Sequence, residues 1–140
     1  MKLRECFEKR LLRRIAPDME KAKKSLEMSI KKLEEAKKAL EYNLLDSCMI
    51  MAYTAMFHAA RALLYKDGIQ EKSHLCLIIY LREKYSEKLP VHLINALDAY
   101  RIERHEALYG VECIVNKEEC RAVIEDAEEF LQRVKNLLEI

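Results

Sequence analysis

The fold of this chain is decided by residues 49–64, which read MIMAYTAMFHAARALL. Apolar side chains stand at nearly every position, so a helix built from this segment is apolar nearly all round. Such a helix must be covered by neighbouring helices on several sides. The segment therefore predicts a central buried helix. It should begin near residues 44–47, with Asp46 or Ser47 as its cap, and end at Asp67, before Gly68.

The composition of the chain favours an all-helical domain. Its 140 residues are 51% hydrophobic and 35% charged, with two glycines, two prolines and no tryptophan. This length suits a single domain, residues 1–140, with a core of its own. Strands and tight turns need more glycine and proline than this. We predict an all-α antiparallel up-and-down bundle of about five helices with little or no sheet, preceded by a short N-terminal helix in the leading segment 1–16.

Helix ends are predicted from proline, glycine and capping residues. The leading helix, from Lys2 to about Arg14, should end where Ala16 precedes Pro17. Residues 68–72 are predicted to form a loop. The other predicted helices run from Pro17 or Asp18 to Tyr42, from Ser73 as cap to about Glu87, from Pro90 to Tyr109, and from Asn116 as cap to about Leu138.

The cysteines and the N-terminus indicate the compartment. No apolar run approaches 18 residues and the N-terminus lacks a signal-peptide pattern, so we expect a cytoplasmic protein. An odd number of widely spaced cysteines favours reduced thiols over a disulfide framework or a zinc site. The spacing of Cys113, Cys120 and the nearby His105 is unusual for a metal site, so no metal or other cofactor is expected. The five cysteines are Cys6, Cys48, Cys76, Cys113 and Cys120.

The net charge of +1 does not by itself indicate a nucleic-acid-binding protein. Residues 1–43 are more basic, with 13 basic and 8 acidic side chains. Arg10, Arg13, Arg14 and the lysine pairs that follow them could contact phosphates. Glutamates lie three or four positions from many of these cations, which favours solvated helix faces over a dedicated RNA surface.

Arginines interrupt the apolar face of the helix predicted to end at Tyr109. At 100° per residue, one stripe within roughly 80° contains Leu93, Leu97, Tyr100, Arg104 and Leu108. Arg104 lies near its middle and Arg101 beside it. Desolvating a guanidinium group costs several kcal/mol unless the group is paired or faces water. This face is therefore predicted to line a functional site or a subunit interface.

Four segments together resemble the HEPN domain (higher eukaryotes and prokaryotes nucleotide-binding). They are residues 52–64, Gly68 with residues 72–74, residues 104–110 and residues 125–131, and the likeness extends from about residue 18 to the C-terminus. The resemblance implies a helical bundle that commonly forms a homodimer. It also implies a partner, a minimal nucleotidyltransferase encoded alongside in a toxin–antitoxin pair.

The resemblance also bears on catalysis. Many HEPN proteins are metal-independent ribonucleases whose motif is an arginine, a polar residue, a short spacer and a histidine. Arg104 followed by His105 matches its beginning, but Tyr109 occupies the place of the final histidine. With a reference pKa of about 10, tyrosine is a poor general base near neutral pH. Weak or lost ribonuclease activity is therefore expected, unless His105 takes over the proton transfer.

Our leading interpretation is a homodimer whose arginine-lined cleft contains Arg101, Arg104, His105 and Tyr109. The cleft would bind RNA, a nucleotide or the nucleotidyltransferase. One alternative is an active metal-independent ribonuclease toxin that uses Arg104 and His105, and a second is a non-catalytic helical scaffold with buried ion pairs. Tyr109 is also the nearest candidate for nucleotidyl modification by the partner.

Two further residues have competing interpretations. Arg61 is either a second phosphate contact or the partner of an acidic residue on a neighbouring helix. His58 is a weak candidate for nucleotide binding, because a histidine inside the most buried helix is more often a hydrogen-bonded core or interface residue. His74, next to a predicted cap, is interpreted as a structural residue that fixes the 68–74 loop.

Overall fold

The computed structural model describes residues 1–111 and 115–139, and within them the chain forms six helices and one small sheet. The predicted all-α bundle is confirmed. In chain order the elements are α1 (Leu3–Glu8), β1 (Leu12–Arg14), α2 (Met19–Glu41), α3 (Leu45–Asp67), β2 (Ile69–Glu71), α4 (His74–Lys84), α5 (Val91–Tyr109) and α6 (Lys117–Leu138).

Helix α3 is the centre of the bundle, as its sequence predicts. It packs against α2, α5 and α6, and its many alanines let α2 approach closely. By length and composition it is also apolar enough to cross a membrane, but 67% of that stretch is buried inside the fold. Its buried side chains are Cys48, Met49, Ala52, Tyr53, Ala55, Met56, Phe57, Ala59, Ala60, Ala62, Leu63 and Leu64.

Most helix ends follow the predicted capping chemistry. Asp18 accepts a hydrogen bond from the Lys21 amide, Ser73 from Cys76 and Asn116 from Glu119, at 3.0, 3.1 and 2.8 Å. Gly68 ends α3 in the left-handed region, with φ of 78°. Two details were wrong. Leu44 precedes α3 without a side-chain cap, so neither Asp46 nor Ser47 caps it, and α4 ends at Lys84 rather than near Glu87.

The N-terminal segment differs from the predicted long helix. Helix α1 ends at Glu8, and Arg10 then adopts a left-handed conformation with φ of 57° that turns the chain. Residues 12–14 pair antiparallel with residues 69–71, which were predicted to be a loop. This pairing gives hydrogen-bond partners to backbone groups of both segments, with Arg13 opposite Gln70, 57 positions away in sequence. It also buries Leu12 and Ile69. Helix propensity alone could not predict it.

A disulfide between Cys6 and Cys76 fastens α1 to α4, so the prediction of reduced thiols was wrong for these two residues. Their Cα atoms are 5.8 Å apart, although 70 positions separate them in sequence. Closing a loop of that length stabilises a fold by about 4 kcal/mol in the chain-entropy model. Cys48 and Cys120 are free and buried. Cys113, on which the metal hypothesis depended, lies outside the described residues.

Candidate functional site

An open cleft of about 450 Å³ lies between the start of α4 and the second half of α5. It brings together three of the predicted site residues, Arg101, Arg104 and His105. The start of α4 supplies the facing wall. The lining residues are Ser73, His74, Leu75, Arg101, Ile102, Arg104 and His105.

The cleft exists because α5 extends beyond the core that it covers. Leu93 and Leu97, in the first half of the helix, are fully buried. Further along the same stripe Arg104 is half-buried, and Leu108 is 41% exposed. The stripe therefore begins in the buried core and ends in the solvent-accessible cleft, where the Arg104 guanidinium group stays in contact with water. This removes the desolvation cost that an arginine on an apolar face would otherwise carry.

Arg104 and Arg101 differ in how their charges are compensated. Arg101 is bound to Asp98 on its own helix at 3.2 Å. The Arg104 guanidinium lies over the ring of Tyr53, with its Cζ 5.8 Å from the ring centroid. Within residues 1–111 and 115–139, no carboxylate lies within 4.0 Å of it. The ion pairs that the scaffold hypothesis expects for Arg104 are thus absent from the described part of the chain.

An aromatic stack joins α3 to the start of α4 behind the cleft. The imidazole of His74 lies on the ring of Phe57, with centroids 4.0 Å apart and planes at 17°. Its Nδ1 is hydrogen bonded to the Tyr53 hydroxyl at 2.7 Å. Arg61 also contacts the Phe57 ring, with its Cζ 4.8 Å from the centroid. These contacts fix where α4 begins and therefore the position of one wall of the cleft.

Burial, together with the positive charge of nearby arginines, keeps His74 neutral. Burial, followed by the charges of Arg104, Arg61 and Arg101, lowers the pKa of His74 to about 4. Burial also raises the pKa of Tyr53, so its phenol keeps its proton at neutral pH. The positive charge of the cleft near neutral pH therefore comes from its arginines. Such a field attracts an anionic ligand.

Neither Arg61 nor His58 lines the cleft. Arg61 forms a salt bridge with Glu71, whose side chain is only 3% exposed. Glu71 lies on β2, so the acidic partner comes from a strand and not from a neighbouring helix. His58 is half-buried, and its pKa is lowered by burial and then by the charges of Arg61 and Lys32. A nucleotide contact by either residue stays a prediction.

Tyr109 lies at the end of α5, outside the residues that line the cleft. It is 70% exposed, and its ring contacts that of His105, with centroids 5.0 Å apart. His105, which is exposed, reaches both the cleft and Tyr109. Of the two motif residues that follow Arg104, only His105 is placed where it could meet a ligand in the cleft.

Sequence reasoning missed His74 as a candidate functional residue. The available signal was the triplet Lys72-Ser73-His74, in which the Ser73 cap places His74 in the first turn of a helix. We had interpreted His74 as a residue that fixes the 68–74 loop. Its contact with Phe57 agrees with a structural role, but His74 also forms part of the cleft wall.

Comparison with known proteins adds to this geometry. Residues 22–137 match the HEPN domain. A protein of Archaeoglobus fulgidus named UPF0332 protein is 37% identical over 121 residues, which cover 79% of this chain and 93% of the relative. A protein of Methanocaldococcus jannaschii named putative toxin MJ0605 is 30% identical over 118 residues, covering 81% of this chain and 85% of the relative.

The lowered pKa of His74 makes the stability of the fold depend on pH. Between pH about 6.5 and the native pKa of about 4, the unfolded chain binds a proton that the native protein does not. The free energy of unfolding should therefore fall between pH 7 and pH 5. In urea titrations at both pH values, His74→Asn should remove roughly 1 kcal/mol of this fall, a value discounted for partial exposure of the imidazole.

The control is the same substitution at the exposed His92, which contacts Glu129 rather than the arginines and should not reduce the fall. The comparison uses the difference between the two pH values, so any loss of stability from the broken stack cancels. A His74→Asn variant with the pH dependence of the wild type would contradict the assignment.

Proposed function

This chain belongs to the HEPN family, and we propose that it is a toxin-like member whose cleft binds the phosphates of RNA. The observation that carries the proposal is the half-buried Arg104, which faces the cleft with no carboxylate within 4.0 Å among the described residues. Arg101 and His105 line the same cleft. A guanidinium group suits this role because it can donate two parallel hydrogen bonds to one phosphate.

The electrostatics of the cleft support an anionic ligand. An RNA phosphate placed beside Arg104 and Arg101 would offset the positive field that lowers the pKa of His74. The phosphate would thereby favour protonation of His74, and the imidazolium would donate a charge-assisted hydrogen bond to the bound strand. Binding and protonation would reinforce each other, so we expect affinity to increase at slightly acidic pH.

We propose that ribonuclease activity is weak or lost. Cleavage by attack of the 2′-hydroxyl needs a group with a pKa near the operating pH to take its proton. Tyr109 lies outside the cleft, and a native pKa of about 4 makes His74 a weak base. The second candidate, an active metal-independent ribonuclease, is favoured by one observation: His105 and Arg104 line the same cleft.

Replacing Arg104 by alanine tests the RNA-binding proposal. We expect the affinity for single-stranded RNA to fall roughly 10- to 100-fold, since hydrogen bonds to charged groups contribute about 1.5–3 kcal/mol. The control is Arg133→Ala. Arg133 contacts Glu129 on α6, and Glu129 also contacts His92 near the other end of α5. Fluorescence anisotropy measures binding, and incubation with total RNA in chelator measures cleavage.

The possible results separate the three interpretations. RNA binding that is lost in Arg104→Ala alone, without cleavage by the wild type, supports the binding proposal. Cleavage by the wild type that disappears in both Arg104→Ala and His105→Ala supports the ribonuclease. Unchanged stability and unchanged binding in Arg104→Met would contradict both and favour the scaffold.

We further propose that two copies form a homodimer through the second half of α5. This part of the helix leaves large apolar side chains exposed beside the cleft, including Ile102 at 55% and Leu108 at 41%. A second copy covering them would bring two arginine clefts together into one composite site. The family resemblance also implies a homodimer.

Leu108→Glu should shift the protein from dimer to monomer, because the new charge would be buried in the proposed interface. Leu108 is exposed, so the bundle itself should keep its stability. The control is Met28→Glu on α2, where a methionine of similar exposure, 39%, lies outside the interface. Analytical ultracentrifugation at micromolar concentrations gives the molecular mass of the wild type and of each variant. A monomeric wild type, or a dimeric Leu108→Glu, would contradict the interface.

The proposed partner is a minimal nucleotidyltransferase, and Tyr109 is the proposed site at which it attaches a nucleotidyl group. The 70% exposure of Tyr109 leaves its hydroxyl accessible to another enzyme. In this step the Tyr109 oxygen would form an ester with the α-phosphate of ATP, and pyrophosphate would leave. Incubation with the cognate partner and ATP should then raise the intact mass by one or more adenylyl groups. Tyr109→Phe should abolish the increase, whereas Tyr42→Phe, at a tyrosine of 71% exposure, should not. An unshifted wild-type mass would contradict this step.

A further inference from the structure

A second pocket of about 460 Å³ lies beside the small sheet formed by β1 and β2. Four of its six lining residues are cations, and none is acidic. Most of the lining comes from residues 7–14, which precede the region that matches the HEPN domain. We name it the basic pocket. Its lining residues are Phe7, Arg10, Leu12, Arg13, Arg14 and Lys72.

The cations of the basic pocket are not neutralised locally. Within the described part of the chain, no carboxylate lies within 4.0 Å of Arg10, Arg13, Arg14 or Lys72. The nearby Glu8 is bound to Arg4 instead. The lysines of α2 behave differently, because several pair with glutamates of the same helix, as the sequence predicts: Lys24 with Glu20, Lys32 with Glu35 and Lys37 with Glu34.

The backbone holds these cations around the pocket. The left-handed turn at Arg10 ends α1 and directs the chain into β1. The Lys72 amide donates to the Leu11 carbonyl at 2.8 Å, which brings Lys72 beside the first strand. Arg13 donates to the neutral amide oxygen of Gln70 at 2.9 Å, so it is positioned without losing its charge. The Cys6–Cys76 disulfide fastens this segment to α4.

The basic pocket and the arginine cleft are lined by consecutive residues of the chain. Lys72 lines the pocket, whereas Ser73 and His74, the next two residues, line the cleft. Two residues of chain span at most about 7 Å. This separation along the chain is shorter than a strand of several linked phosphates.

We propose that the basic pocket is a second phosphate-binding subsite and that the ligand is a single-stranded RNA several nucleotides long. One part of the strand lies in the cleft at Arg104, and its continuing backbone passes over Lys72 to Arg10 and Arg13. This inference rests on the proposed function of the cleft. It adds that the ligand is an oligonucleotide and that a segment outside the matched HEPN region helps to hold it.

The test compares labelled single-stranded RNAs of 2 and 12 nucleotides by fluorescence anisotropy across a series of salt concentrations. The Arg10→Gln/Arg13→Gln variant should bind the 12-mer about tenfold more weakly at low salt and reduce its salt slope by about 1.4. Its affinity for the 2-mer, which has one linking phosphate, should not change. Arg104→Gln should weaken the binding of both RNAs.

The control is Lys37→Gln/Lys38→Gln, which removes the same charge roughly 27 Å along α2 from its start. A basic-pocket variant that binds the 12-mer as tightly as this control would overturn the inference, while loss of binding in Arg104→Gln would still support the cleft. Equal weakening of 2-mer binding would also overturn it.

Two further results would count against the proposal. A wild type that binds neither RNA would overturn the proposed function and this inference together. Vesicles of phosphatidylserine test the other source of phosphate. If Arg10→Gln/Arg13→Gln reduces vesicle binding but not binding of the 12-mer, the pocket serves a lipid surface.

Discussion

The burial of α3 is the constraint on which the rest of the structure depends. A helix with twelve buried side chains needs neighbours on nearly every side, and α2, α5 and α6 supply them. Between residues 54 and 64 its polar side chains are confined to one partly buried stripe, formed by Thr54, His58 and Arg61. That stripe lies at the edge of the surface of α3 that the neighbouring helices cover. The neighbouring aromatic residues, Tyr53 and Phe57, then become the base on which α4 and the cleft are built.

The same constraint explains how a charged site forms without a buried partner for Arg104. The buried side chains of α5 are Leu93, Ile94 and Leu97, all in its first half. The helix continues for three more turns, so its apolar stripe emerges from the core beside α4. There the Arg104 guanidinium group lies over the ring of Tyr53 and stays in contact with water. The proposed site thus lies where α5 extends beyond the core, so its charged groups are not buried in the bundle.

Most of the fold could be predicted from interactions between residues close in sequence. The features that were not predicted depend on contacts between residues far apart in sequence. Asp18, Ser73 and Gly68 act within a few residues of their own positions, so their roles could be read from the sequence. The strand pair and the Cys6–Cys76 bond join residues 55 to 70 positions apart. The same limit applies to the site. Arg101, Arg104 and His105 share one helix and were predicted together, whereas His74 joins them only through the packing of α4 on α3.

The proposed affinity for RNA depends on which cations lack an acidic partner, so a small net charge does not argue against it. The overall charge is +1, and several α2 lysines are offset by glutamates. Arg104, Arg10 and Arg13 have no such partner among the described residues. Three phosphate contacts imply a salt slope of only about −2 for a single strand. Contacts to phosphate position a strand without reading its sequence. If the cleft binds RNA as proposed, a preference among sequences has to come from groups in the cleft that can contact a base, and His105 and His74 are the candidates.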